Sequence, residues 1–300
     1  MNRTVARAER KVEDESRRLL DSAAALSYDP ATEVDWDAEL PPEHYGFNPE
    51  WSTLYGTPLW QEMTEAQRVL LTRHEVASVM STGIWFEMIL QQMVLRDQYM
   101  RDYASAEFQF ALTEIADECR HSIMFARACQ KMGIRSYAPR RSTVELARLF
   151  KTVGSAEVAY GGILVAETVL DLMQRDAMSA ENVLDLVRTT SRIHVVEESR
   201  HMRFARQEVM DRTRNAGRLR RRASALSIAV VSYFIITSMV SPEVYAAAGL
   251  DPERALAEAR LNEHYKAKMR TSAAGLMDFL ARCGLVTRPA AAVYQRIHML

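Results

Sequence analysis

The apolar positions of this chain show no run of Val, Ile or Thr with the period-two alternation that marks a β-strand. Glycine and proline are sparse, with 11 and 9 residues, whereas Ala, Leu, Glu, Arg and Met are abundant. The abundant residues are good helix formers and the sparse ones interrupt helices. The sequence therefore predicts an all-α chain.

Capping residues divide the chain into predicted helices. Thr64 and Gln67 have the spacing of a capping box, so a long helix should begin there. Ser142 and Glu145 repeat that spacing, and Gly217 suits the end of a helix. We expect helices over about residues 1–26, 64–100, 105–132, 156–175, 181–216, 223–242 and 252–281, with short ones from residue 142 and after residue 289.

One predicted helix is apolar enough to raise the question of a membrane. Residues 223–242 contain no charge, and Arg220, Arg221 and Arg222 precede them. Length and a basic flank are compatible with a membrane span. However, serine and threonine residues interrupt the stretch, and the central helix of a large bundle is also apolar on all sides. We favour a buried helix over a membrane contact.

Composition narrows the functional classes. The formal net charge of the 300 residues is −1, which gives no general attraction to nucleic acid or acidic lipid. The three cysteines form no C-x-x-C pair, which fits a reduced, cytoplasmic protein better than a disulfide scaffold. Residues 1–18 are charged and lack the apolar region of a secretory signal.

The main chemical signal is a repeated motif. Glu118 and His121 form a Glu-x-Arg-His sequence, and Glu198 and His201 form a second one. One further glutamate precedes each motif by 31 residues, at positions 87 and 167. Two glutamates and two Glu-x-x-His motifs on four helices are the ligand set of a dinuclear carboxylate-bridged metal centre in a four-helix bundle.

The spacing brings these side chains to one level of the bundle. Glu87 and Glu118 are equidistant from a predicted turn at residues 101–104. The midpoint of Glu167 and Glu198 falls at residues 182–183, close to a second turn predicted at residues 177–180. In an antiparallel helix hairpin, each pair lies side by side, roughly 20 Å from its turn. Surface glutamates are the alternative, but the apolar neighbours of Glu87 and Glu167 oppose it, because a lone carboxylate among them would be costly to bury.

His194 breaks the symmetry of the repeat. It precedes Glu198 by four residues and His201 by seven, so all three share one helix face. Alone, such a histidine is more often a hydrogen-bonded core residue. Beside a ligand, we favour a third imidazole ligand on the metal ion held by Glu167 and His201. Glu198 would then bridge to a second ion held by Glu87, Glu118 and His121.

Charged neighbours of the motifs are candidates to support the ligands. Asp117 and Glu197 precede the two motif glutamates, and acids there could fix the tautomers of the ligand histidines. Arg120 and Arg200 could neutralise those acids, or could form ordinary surface ion pairs. Glu114, one turn before Glu118, is a further supporting candidate and occupies the position that His194 has in the second motif.

The order Glu, Glu-x-x-His, Glu, His-x-x-x-Glu-x-x-His resembles that of the arylamine N-oxygenase family of ferritin-like di-iron proteins. The resemblance covers about residues 60–240. It implies the ligand set Glu87, Glu118, His121, Glu167, His194, Glu198 and His201. Other relatives fit less well: the acyl-carrier-protein desaturases lack the third histidine, and the radical tyrosine position of ribonucleotide reductases is Phe125 here.

The resemblance also implies an activity. Two iron ions, with manganese or a mixed pair as the alternative, would activate O2 and oxidise an aryl amine through a peroxo intermediate. An external reductase or ferredoxin would supply electrons to a homodimer. The alternatives are another di-iron oxygenase or desaturase, or an oxidase or metal-handling protein.

The same reading gives expectations for the substrate pocket and the domain. Apolar Ile163 suits a dry pocket beside the metals, and Phe125 is included in that pocket. Gly161 and Gly162 could open space for substrate or allow close contact between helices. With no long linker, we expect a single domain over residues 1–300, with a bundle core at about 64–240, additional flanking helices, and an N-terminal segment, 1–58, wrapped over the bundle.

Overall fold

The computed structural model describes residues 3–214 and 216–300, and within them it contains helices and no strand. This confirms the all-α prediction; Met1 and Asn2, at the start of the first predicted helix, lie outside the described residues. The helices are α1 (Arg3–Ala25), α2 (Pro30–Glu33), α3 (Pro58–Glu62), α4 (Glu65–Gln98), α5 (Ala106–Lys131), α6 (Arg141–Val153), α7 (Ala156–Ser179), α8 (Asp185–Arg214), α9 (Arg218–Ser238), α10 (Glu243–Ala247), α11 (Pro252–Leu261), α12 (Glu263–Arg282) and α13 (Arg288–Arg296).

Four long helices form the bundle. Helix α4 packs against α5 and α7, and α8 packs against α7 and α5. Flanking helices cover this bundle: α1 lies on α5 and α8, α9 and α12 lie on α7, and α13 lies on α9. The arrangement is the predicted ferritin-like four-helix bundle with additional helices.

Local sequence explains where the bundle helices begin and turn. The Thr64 hydroxyl accepts a hydrogen bond from the Gln67 N–H while the Gln67 side chain accepts one from the Thr64 N–H, which confirms the capping box. Gly133 follows α5 with φ of 68°, a conformation that glycine adopts without strain. The turns at 99–105 and 180–184 contain the two predicted midpoints.

The segment before α4 is tied to the second hairpin. The Tyr45 N–H donates to the Asn182 carbonyl, and the Leu184 N–H donates to the Tyr45 carbonyl, so the segment bonds to the turn between α7 and α8. The Trp51 indole donates to Asp176 near the end of α7. These bonds hold residues 45–51 against the end of the bundle that contains the α7–α8 turn.

Three predicted helix boundaries were wrong. Helix α6 begins at Arg141 without a side-chain cap, so Ser142 does not cap it. Gly217 begins α9 as its N-cap. The expected helix 252–281 is two helices, because the Asn262 side chain accepts hydrogen bonds from the N–H groups of His264 and Tyr265 and starts a new helix.

The apolar helix α9 is buried on one face, not on all sides as predicted. Ala225, Ile228 and Ala229 are fully buried, whereas Leu226 is 43% exposed. By length and composition alone, the stretch Arg218–Ala247 could cross a membrane, and 39% of its apolar window is buried.

Glu75 is a fully buried acid that joins α4 to the N-terminal segment. Its Oε1 accepts hydrogen bonds from the N–H and the hydroxyl of Thr53, and that hydroxyl is also 2.9 Å from the Tyr245 hydroxyl. Its Oε2 has no hydrogen-bond partner among the described residues. Burial raises the pKa of Glu75 to about 7, against the opposing effect of the Thr53 bonds. Ionised Glu75 therefore destabilises the fold.

We expect Glu75→Gln to stabilise the protein increasingly as pH rises from 5 to 8. A folded-state pKa of about 7 lies above the ordinary value of 4.5, so the wild-type stability is complete below pH 4.5 and declines toward pH 7. The neutral amide avoids this loss, which is worth about 3 kcal/mol at most. Urea denaturation across this pH range measures it. Glu181→Gln, which changes an exposed turn residue, is the matched control. A difference in the free energy of unfolding between E75Q and wild type that does not change with pH would contradict the prediction.

Candidate metal centre

The structure brings all seven expected ligand residues together inside the bundle. One comes from α4, two from α5, one from α7 and three from α8. Each is at most 7% exposed, and the three imidazoles are the most deeply buried. They are Glu87, Glu118, His121, Glu167, His194, Glu198 and His201.

The two motif glutamates each reach both motif histidines. Glu198 Oε1 lies 2.9 Å from His201 Nδ1 and 3.3 Å from His121 Nδ1. Glu118 Oε2 lies 3.1 Å from His121 Nδ1, and its Oε1 lies 3.3 Å from His201 Nδ1. Both carboxylates therefore span the cluster. The expectation that Glu198 alone bridges, with Glu118 confined to one side, does not match this geometry.

The acids beside the motifs hold the histidine of the opposite motif. His121 Nε2 is 2.7 Å from Glu197 Oε2, and His201 Nε2 is 3.1 Å from Asp117 Oδ2. With the acids as acceptors, each imidazole donates from Nε2 and presents Nδ1 to the motif glutamates. A carboxylate of this kind fixes the tautomer and orientation of a metal-binding histidine.

The two motif arginines lie close to both of these acids. Arg120 hydrogen-bonds Asp117, and Arg200 Nη2 lies 3.9 Å from Glu197 Oε1. Arg200 is only 5% exposed, so it is not a surface ion-pair residue, whereas the Arg120 side chain is 36% exposed. Burial alone would raise the pKa of Asp117, but the His201 hydrogen bond and the nearby positive charges hold it below its ordinary value.

His194 directs one nitrogen into the carboxylate cluster. Its Nδ1 is 2.9 Å from the Gln174 side-chain oxygen, which is an acceptor, so Nδ1 carries the proton. Its Nε2 lies 3.7 Å from Glu167 and 3.8 Å from Glu198, and it has no hydrogen-bond partner among the described atoms. Burial lowers the pKa of His194 to about 4, so the imidazole is neutral and its Nε2 lone pair is free for a metal.

Sequence reasoning missed two residues that orient candidate ligands. Gln174 lies seven residues after Glu167 on the same face of α7, which is the signal that could have identified it. Ser122 follows His121 directly, and its hydroxyl donates to Glu87 Oε2 at 2.7 Å. Both orient a side chain of the cluster without belonging to the repeated motif.

The cluster has the electrostatics of a site that needs positive charge. Burial, followed by the charge of Glu118, raises the pKa of Glu87 to about 8. Burial alone would lower the pKa of His121, but the surrounding carboxylates raise it well above its ordinary value. Buried Glu167 Oε2 and Glu198 Oε2 have no hydrogen-bond partner in the described part of the chain. Divalent ions would compensate these groups, so the residues present fit a metal centre.

Two groups of donor atoms are close enough to hold one ion each. Atoms of His121, His194 and Glu198 lie within 4.8 Å of one another, and so do atoms of Glu114, Glu118 and His201. His194 therefore groups with His121, whereas the sequence led us to expect it with His201. Carboxylate and imidazole donors suit iron and manganese.

The expected pocket residues fall into two classes. Phe125 lines a cavity beside Glu87, and Ile163 lines one beside Glu167. Gly161 and Gly162 lie at helix contacts instead: a Cβ on Gly161 would be 2.7 Å from Ile228 of α9, and one on Gly162 would be 3.2 Å from Leu90 of α4. Close contact between helices therefore accounts for both glycines.

Comparisons with known proteins agree with this geometry. An uncharacterised protein of Mycobacterium tuberculosis is 24% identical over 234 residues, which are 75% of this chain and 68% of the relative. An uncharacterised protein of Mycobacterium bovis is 24% identical over 213 residues, 68% of this chain and 62% of the relative, so the chain spans less than two thirds of that relative's length. The family model of the p-aminobenzoate N-oxygenase AurF matches residues 9–284. The chain therefore belongs to the p-aminobenzoate N-oxygenase AurF family of ferritin-like di-iron proteins.

Proposed function

We propose that this protein is a di-iron, O2-dependent monooxygenase that transfers oxygen to the nitrogen of an uncharged aryl amine. The observation that carries the proposal is the unpaired Nε2 of His194, which faces Glu167 and Glu198 and adds a third imidazole to the four carboxylates. Membership of a di-iron oxygenase family supports the same reaction class.

The seven clustered side chains would hold the two iron ions, with Glu118 and Glu198 reaching both sides of the centre. Manganese suits the same donors and is the alternative metal. When bound there, ferrous ions would supply electrons for the reduction of O2. Overall, an amine, O2, two electrons and two protons give a hydroxylamine and water. An external electron donor therefore belongs to the proposal, because the ligands themselves supply no electrons.

The protein residues around the centre would bind the amine and exclude water. One cavity is lined by Glu87 and Glu167 together with apolar side chains of α4, α7 and α9. It shares Phe86 and Leu90 with a second cavity against α6, where Thr143 is the polar exception among apolar lining residues. The shared residues make the two cavities neighbours, and we propose that the apolar ring of the amine binds on this side of the metal ligands.

The charge of these cavities sets the substrate class. Neither cavity has a lysine or an arginine among its described lining residues. A buried carboxylate without a cation costs several kcal/mol, so a substrate that carries one is disfavoured. An uncharged apolar aniline matches the polarity of these lining residues.

Two further parts of the proposal concern the oligomeric state and the cellular location. Large apolar side chains are exposed on the α4–α5 hairpin, among them Met88, Met100 and Ile123, at 47%, 95% and 62%. Exposed apolar side chains of this kind favour a protein contact, and a second copy of the chain is the partner we propose. We place the protein in the cytoplasm, where its free cysteines stay reduced.

The test is oxygen transfer in a single turnover. Iron-loaded, reduced protein is mixed with isotope-labelled O2 and either 4-butylaniline or 4-aminobenzoate, with chelated protein as control. We expect labelled oxygen on the nitrogen by mass spectrometry, and a rate for 4-butylaniline at least about tenfold higher, because only the benzoate buries a charge. Iron oxidation without label in any amine would instead indicate an oxidase or a metal-handling protein. Label on carbon would indicate a different oxygenase.

A further inference from the structure

Glu114 occupies the position in the first motif that His194 occupies in the second. It lies four residues before Glu118 on α5, as His194 lies four residues before Glu198 on α8. Residues four apart share a helix face, so each side chain is directed toward the motif glutamate one turn away. The chain thus places a potential ligand at both positions, but a carboxylate at one and an imidazole at the other.

The structure confirms that Glu114 faces the metal ligands. It is 2% exposed, and one of its oxygens lies within 4.8 Å of donor atoms of both Glu118 and His201. It also lines the cavity that Glu87 and Glu167 share. Its Oε2 has no hydrogen-bond partner among the residues that the structure describes.

A purely structural role does not explain why the Glu114 carboxylate is buried with an oxygen that has no hydrogen-bond partner among the described residues. A buried polar atom without a partner costs about 1–3 kcal/mol, and more when the group is charged. Such a group is retained at a cost to the fold unless something binds it.

We propose that Glu114 is an eighth protein ligand of the dinuclear centre, on the ion that Glu118 and His201 hold. The proposal rests on the metal centre of the proposed function. It makes the two ions inequivalent, because one donor group is Glu114, Glu118 and His201 whereas the other is His121, His194 and Glu198. The group with two carboxylates favours the harder ion, so manganese should prefer it over the group with two imidazoles.

Metal titration tests this proposal without any measurement of activity. Metal-free wild type, Glu114→Gln, Glu114→Ala and His194→Ala are titrated with Mn(II) under nitrogen, and bound ions are counted after gel filtration. We expect the wild type to bind two ions. In each of the three variants, the affinity for one of the two ions should fall at least about tenfold. EPR of bound Mn(II) should show different surviving sites in the Glu114 and His194 variants.

The control variant is Glu107→Gln, which lies seven residues before Glu114 on the same face of α5. Glu107 pairs with Arg101 at 2.6 Å and belongs to neither donor group. It should bind two ions with wild-type affinity. A second readout is the melting temperature: E114Q should leave that of the metal-free protein unchanged or higher, while reducing the rise that Mn(II) produces.

The outcomes separate the possibilities. Two ions bound by E114Q and E114A with wild-type affinity would overturn the proposal and leave the proposed function intact. Equal losses of melting temperature with and without metal would also overturn it, since they indicate a structural role. Failure of the wild type to bind any ion would overturn the metal centre itself.

Discussion

Replacing Glu198 by alanine is expected to remove both metal ions from the protein rather than one. Its Oε1 lies 2.9 Å from the Nδ1 atom of His201 and 3.3 Å from that of His121, so it stands between the imidazoles of the two sides. A carboxylate in this position would contribute to the binding of both ions. Its loss also leaves the remaining donors without the group that connects them.

Elemental analysis after anaerobic loading with Fe(II) measures this result. The wild type should retain two ions per chain, and the variant less than about one tenth of that number. Loss of a residue that supports a ligand lowers metal affinity by about 10–100-fold, and loss of a ligand itself should lower it further. Glu145→Ala is the matched control, because Glu145 is exposed on α6 and pairs with Arg148. One ion retained at full occupancy would show that Glu198 binds a single metal.

Metal loading is expected to raise the melting temperature by on the order of 15 °C. At a free metal concentration of about 1,000 times Kd, each site adds about 4 kcal/mol, so two sites add about 8 kcal/mol. In a chain of this length, 1 kcal/mol corresponds to about 2 °C. Calorimetry of the chelated and loaded protein measures the difference, and E198A should show a rise of only a few degrees.

The rise in melting temperature that metal loading produces should be larger at pH 8 than at pH 6.5. The folded-state pKa of Glu87 is raised to about 8, from an ordinary value of 4.5, so its contribution to stability is complete below pH 4.5 and is lost as pH rises toward 8. The metal-free protein therefore weakens across this window. Metal binding requires deprotonated ligands and strengthens over the same range. A rise that is independent of pH would contradict proton competition at the ligands.

Helical spacing was sufficient to predict which residues meet at the centre. The midpoint of Glu87 and Glu118 falls in the turn at 99–105, and that of Glu167 and Glu198 in the turn at 180–184. In a helix hairpin, distance from the turn fixes the level of a residue along the bundle. This level depends on local sequence alone, so the residues that lie together could be predicted without knowledge of how the hairpins face each other; their role as metal ligands stays a prediction.

Which residues of one hairpin meet which residues of the other depends on how the two hairpins face each other. Spacing along the sequence does not determine this orientation, so these pairs could not be predicted. The contact between α5 and α8 places His194 with His121, and Glu114 with His201. Sequence spacing within α8 had suggested His194 with His201, which share a helix. The same limitation applies to α9, whose uniform apolar composition did not reveal that only one face is buried.

The exchange of supporting acids between the two motifs has a consequence for folding. His121 is oriented by a residue 76 positions away, and His201 by one 84 positions away. Each motif histidine contacts the glutamate of its own motif through Nδ1, but the acid at its Nε2 comes from the other hairpin, so an isolated hairpin lacks that contact. Because such distant contacts require closure of a long loop, they form after the local helices. The complete cluster should therefore form late in folding, and a metal ion that needs the whole cluster would bind only molecules in which both hairpins have docked.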